Sequence, residues 1–88
     1  MSIKLNIDES VFNNKRKETV IETHGKTIGE NLNDGFTQNP GLKKVLFDEK
    51  DNFCPGILIK LNGRFVRSDR LTAEVKDGDA IDVLKYDG

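Results

Sequence analysis

The chain of 88 residues has no tryptophan, one cysteine, one histidine, one tyrosine and two prolines. A lone thiol, Cys54, forms no internal disulfide, and no Cys and His spacing suits a zinc site. No apolar run approaches the ~20 residues needed to span a bilayer, and the polar N-terminus is not a signal peptide. The expectation is a cytoplasmic protein with no membrane partner. An excess of one charge is also missing, since 14 Lys and Arg stand against 15 Asp and Glu. Neither half is a basic arm, so nucleic-acid binding has little electrostatic support and none is expected. At this length there is room for one domain with a thin core, and a large enclosed cleft does not fit.

Catalytic constellations are scarce as well. His24 stands beside Gly25 and reads as a turn residue rather than a base. No serine lies in a nucleophile-elbow context. Cys54, between Phe53 and Pro55, reads as a structural thiol because no neighbouring cation in the sequence would lower its pKa. Asp77, Asp79 and Asp82 look like a metal cluster only superficially: no EF-hand loop surrounds them, and Asp79 and Asp82 fall on opposite strand faces. The glycines at 25, 29, 35 and 41 form no Walker or dinucleotide pattern. The chain therefore reads as no enzyme, with no bound cofactor and no metal.

What is present is a regular alternation of elements. Ile3, Leu5 and Ile7 alternate with Lys4 and Asn6, the period of a half-buried strand. A turn at Asn13-Asn14 leads to a second, β-branched strand over residues 18–23. Thr27-Ile28-Gly29-Glu30 fits a capping box, with Glu30 reaching back to the cap, and Ile28, Leu32 and Phe36 form one buried helical stripe. Asn33-Asp34-Gly35 predicts a short or frayed last turn. Asn39 then reads as a cap and Pro40 as the first position of a second short helix, followed by a surface loop at Lys50-Asp51-Asn52. Ile57 to Leu61, the Asn62-Gly63 turn and Arg64 to Val66 make a hairpin of type I′. Asp77-Gly78 turns into a last strand over residues 80–84, and the first and last strands have the character of central, paired strands.

This order is that of an α+β protein and resembles the β-grasp, or ubiquitin-like, fold: a mixed sheet of four to five strands on one main helix. Residues 1–84 are expected to form the domain and residues 85–88 a flexible C-terminal tail. Within that fold, Thr27-Ile28-Gly29-Glu30, Asn62-Gly63-Arg64 and Val75 to Ile81 are similar to the MoaD- and ThiS-type sulfur carriers, of which the molybdopterin synthase small subunit is one. The resemblance implies a carrier without catalytic side chains. Its terminal glycine is activated by an E1-like adenylating enzyme as an acyl-adenylate, then converted to a thiocarboxylate. A larger synthase or oxidoreductase subunit next receives the tail, in molybdenum or tungsten cofactor or thiamine-type biosynthesis.

Carried onto this chain, the resemblance makes Gly88 the attachment residue, with Lys85, Tyr86 and Asp87 positioning the tail. Leu58, Phe65 and Leu84 lie off the core faces of their strands and are the candidate docking patch. A second reading stays open. Asp87 stands where the family has glycine, and four residues follow Leu84 where the family has about six. On that reading the chain is a non-conjugating ubiquitin-like interaction module, an accessory subunit that has lost carrier chemistry.

Overall fold

In the computed structural model, which describes residues 2–12, 17–50, 52–67 and 70–86, the alternation of Ile3, Leu5 and Ile7 becomes strand β1 (Ile3–Ile7). All three apolar side chains are buried. β1 pairs antiparallel with β2 (Thr19–Thr23) and parallel with β5 (Ala80–Lys85). β5 in turn pairs antiparallel with β3 (Ile57–Leu61), which pairs with the short β4 (Arg64–Val66). The order β2-β1-β5-β3-β4 puts the first and last strands next to each other near the centre of a five-stranded mixed sheet. The expected turn at Asn13-Asn14, Asp51 in the surface loop, and Asp87 and Gly88 lie outside the described residues.

One sheet face is the core. Ile3, Leu5, Ile7, Ile59, Ile81 and Val83 point to the side covered by α1 (Ile28–Gln38) and α2 (Gly41–Leu46), which contribute Ile28, Leu32, Leu42 and Leu46. A short 3-10 turn (Glu9–Phe12) adds Val11 and Phe12. Ten fully buried aliphatic side chains of this kind, at about 1.5–3 kcal/mol each, supply the principal driving force.

The start of α1 follows the capping pattern with one change. Thr27 Oγ1 accepts from the Glu30 amide at 3.1 Å, while Glu30 Oε1 accepts from the Lys26 amide at 3.2 Å, one residue before the cap. The expected fraying at Asn33-Asp34-Gly35 does not occur, because α1 runs unbroken to Gln38. Gly35 is buried against the sheet, where a Cβ would come within 2.6 Å of Leu5 Cδ2. Its role is close approach of helix and sheet rather than termination. Asn39 closes α1, donating its amide to the Gly35 carbonyl at 2.8 Å, and Pro40 rather than Asn39 is the cap of α2.

Among the described residues, Thr23 and Asn31 are the buried polar exceptions. The Thr23 hydroxyl donates to Asn31 Oδ1 at 2.7 Å, and Asn31 Nδ2 donates to the carbonyls of Thr27 at 2.8 Å and Gly25 at 3.3 Å. The pair fastens β2 and the following loop to α1, and its polar atoms are satisfied as burial requires.

Candidate functional site

Among the described residues, Leu58, Phe65, Leu84, Lys85 and Tyr86 lie at the end of β5 and on neighbouring strands β3 and β4. β5 extends one residue further than the sequence reading placed it, so Lys85 is strand and not tail. Lys85 lies opposite Ile57 and donates its backbone N–H to Ser10 Oγ at 3.0 Å. Tyr86 follows with its N–H on the Gly56 carbonyl at 2.7 Å. Lys85 and Tyr86 are therefore both held by backbone hydrogen bonds to the domain.

The Tyr86 carbonyl is accommodated by the shape of Gly56. At φ +89°, Gly56 has the left-handed backbone that favours glycine, and a Cβ there would lie 2.8 Å from Tyr86 O. On the other side of the strand, Ser10 is held by Asp8. The Asp8 carboxylate accepts from the Ser10 amide at 3.0 Å and from the Ser10 hydroxyl. These bonds, the hydroxyl first, hold the Asp8 carboxyl below its ordinary pKa.

Leu58 and Leu84 are direct cross-strand partners, and Phe65 pairs with Lys60 one position along. The period of two places all of them on the face opposite the core, together with Tyr86. Leu58 and Leu84 are half-buried, whereas Phe65 and Tyr86 are 63% and 67% exposed. Lys60 Nζ sits 4.7 Å from the Phe65 ring centre, a cation–π contact that keeps the lysine over the aromatic rather than reaching outward. Next to this apolar strip lies a small hollow of about 180 Å³ lined by Asn6, Asp8, Lys60, Asp82 and Leu84. Asn6 Nδ2 donates there to Asp82 Oδ1 at 3.1 Å. The face thus presents an apolar strip beside a polar hollow, within reach of the chain's C-terminal segment.

The other sequence candidates are separated. Asp77 accepts from the Ser2 amide, Asp79 accepts from the Lys76 amide and from Asn62 Nδ2, and Asp82 faces the hollow. Among the described residues, no three His, Cys, Asp or Glu side chains come together as metal ligands. His24 donates its backbone N–H to Asp34 in the loop before α1. Cys54 is half-buried in a groove of about 690 Å³ on the α2 side, and Lys43 and Lys44 line that groove. The two lysines belong to α2, some ten residues earlier in the chain.

Ser10 and Gly56 were missed by sequence reasoning. Gly56 meets Tyr86 thirty residues away, and Ser10 meets Lys85 across 75 positions. Asn62 was read correctly as a turn residue, with φ +52° followed by Gly63 at +84°. Its further role was not legible: its side-chain oxygen accepts from the Ala80 amide at 2.9 Å, joining the hairpin to the start of β5.

A family model described as the ThiS family matches residues 4–86. No curated protein matches the chain by sequence. Among solved structures, a chain of the Amycolatopsis orientalis BexX/CysO complex is 27% identical, with TM-score 0.70, covering 96% of this chain and 97% of that one. The small archaeal modifier protein 1 of Methanosarcina acetivorans is 26% identical with TM-score 0.69, over 99% of this chain and 94% of its own. SAMP1 from Haloferax volcanii, at 16% identity, matches in fold with TM-score 0.75 over 100% of this chain and 99% of its own. No helix among the described residues is long and apolar enough to cross a membrane.

Proposed function

Because the chain belongs to the ThiS family, we propose that it is a sulfur carrier whose chemical site is the carboxylate of Gly88. The observation that carries this reading is the family match over residues 4–86, nearly the whole chain. An E1-like adenylating enzyme binds the carrier. A Gly88 carboxylate oxygen attacks the α-phosphorus of ATP, pyrophosphate leaves, and the acyl-adenylate forms. A sulfide-level donor then adds sulfur at the acyl carbon as AMP departs, leaving a thiocarboxylate. The thiocarboxylate sulfur displaces a leaving group on an acceptor held by a larger synthase or oxidoreductase subunit, and water then cleaves the acyl–sulfur bond, leaving the sulfur on the acceptor and Gly88 as a carboxylate. The proposed destination is a molybdenum or tungsten cofactor, or a thiamine-type product.

This chain's own residues supply recognition and aim. Leu58, Leu84 and Phe65 offer the apolar docking strip, and Lys85, Tyr86 and Asp87 lead the chain from it to Gly88. The similar chain from A. orientalis is found in a complex with BexX, which supports docking onto a second protein. The test is a variant lacking Gly88, incubated with ATP and the adenylating enzyme. Pyrophosphate release should stop, and release that survives the deletion rules out the reading.

A second reading, the interaction module without carrier chemistry, rests on Asp87 standing where the family has glycine. Removing Asp87 and Gly88 separates the two. A module keeps full binding to its partner, and a carrier loses the reaction.

A further inference from the structure

The end of β5 is gripped from both sides by groups that neighbouring strands do not supply. The Lys85 amide donates to Ser10 Oγ at 3.0 Å, and Ser10 is itself bonded to the Asp8 carboxylate through both its hydroxyl and its amide. Asp8 thereby holds Ser10, the acceptor of the Lys85 amide, in place. On the opposite side, the Tyr86 amide donates to the Gly56 carbonyl at 2.7 Å, and the Tyr86 carbonyl passes over the place where Gly56 has no Cβ. Two consecutive residues are thereby fixed in direction at the surface, although Tyr86 itself is largely exposed. Burial of the Tyr86 side chain does not account for this order.

We propose that Ser10 and Gly56 are positioning residues that clip the end of β5 between the 3-10 turn and the loop before β3, and so aim the C-terminal segment at a partner's active site. The inference rests on the sulfur-carrier reading and deepens it. A substrate that is the end of a polypeptide must be delivered in one direction, and every backbone bond fixed before encounter lowers the ordering cost at the partner. The side chains of the outer face dock. The clip decides where the chain leaves that face.

The glycines provide the controlled comparison. Gly63, at φ +84°, has the same left-handed backbone as Gly56 but nothing within 4 Å of its missing Cβ. Gly56→Ala and Gly63→Ala therefore carry the same conformational penalty, and only the first pushes against Tyr86. With the full-length chain and its adenylating enzyme, Gly56→Ala should raise the KM for the carrier about ten-fold or more while Gly63→Ala leaves it near the wild-type value. Ser10→Ala should speed amide exchange at Lys85 about three- to ten-fold, the loss of one hydrogen bond, and raise KM with little change in kcat. Ser10→Thr, which keeps the hydroxyl, should restore both.

Equal KM effects of Gly56→Ala and Gly63→Ala overturn the proposal, as does a Lys85 exchange rate indifferent to Ser10→Ala. The exchange measurement needs no partner, so it reads the clip alone. If the wild-type chain is never adenylated, the carrier reading fails and the clip's delivery role fails with it. If the wild type is adenylated and the variants are unaffected, only the clip is refuted.

Discussion

Gly35, in the middle of the main helix, lies so close to Leu5 in β1 that a Cβ on it would sit 2.6 Å from Leu5 Cδ2. Leu5 is fully buried, so it has little freedom to yield. Replacing Gly35 by alanine sets two effects against each other. Helix propensity gains up to about 1 kcal/mol, while overpacking costs about 1–3 kcal/mol. We expect Gly35→Ala to destabilise by roughly 1–2 kcal/mol in urea unfolding, since the clash is in the core. An increase in stability would show that helix and sheet can separate at little cost.

The buried Thr23–Asn31 pair makes a second expectation. Asn31→Leu leaves the Gly25 carbonyl without its side-chain donor and the Thr23 hydroxyl with only its longer, 3.4 Å bond to the Ile3 carbonyl, at a cost of about 1–3 kcal/mol. Adding Thr23→Val removes one of the two affected groups and should recover part of that loss. A double variant as unstable as the sum of the singles would mean the pair is not coupled.

Acid should weaken the fold through two named carboxylates. Asp79 is held below its ordinary pKa by the Lys76 amide and then by Asn62 Nδ2, and Asp8 by the Ser10 hydroxyl and amide. A carboxylate with a depressed folded-state pKa stabilises the fold above the unfolded pKa. That contribution is lost as pH falls through the folded value. Asp8→Asn and Asp79→Asn should therefore be less stable than wild type at neutral pH, and the gap should close below the ordinary carboxylate range. A gap unchanged in acid contradicts the assignment.

Phe65 and Lys60 stack on the uncovered face, where Phe65 is 63% exposed. Phe65→Ser should leave the unfolding midpoint nearly unchanged, because the ring is in solvent. Affinity for the adenylating enzyme should fall by about 1–3 kcal/mol if the ring is an anchor of the interface. Titration of both forms against that enzyme distinguishes a docking side chain from a bystander.

The elements were legible where the physics is local. The alternation of Ile3, Leu5 and Ile7 declared a strand, Thr27 and Glu30 a helix start, and Asn62-Gly63 a hairpin whose two positive φ angles followed. Leu58, Phe65 and Leu84 were placed together on one face by strand parity alone. Reading failed where a residue's reason lies far along the chain. Asn33-Asp34-Gly35 suggests a short or frayed last turn because Leu5, thirty positions before Gly35, is out of local view. The roles of Gly56 and Ser10 are not legible locally, because their partners are the last described residues, Tyr86 and Lys85. Lys85 was assigned to the tail for the same reason, since nothing in its own neighbourhood announces the Ile57 pairing.

The central claim is carrier chemistry, and intact-mass spectrometry tests it most directly. The protein is incubated with ATP, a sulfide donor and the adenylating enzyme from the same cell, beside a family member ending in Gly-Gly. The account predicts an oxygen-to-sulfur mass shift confined to the C-terminal peptide that carries Gly88. An unshifted protein, with the Gly-Gly relative converted in the parallel reaction, would contradict it.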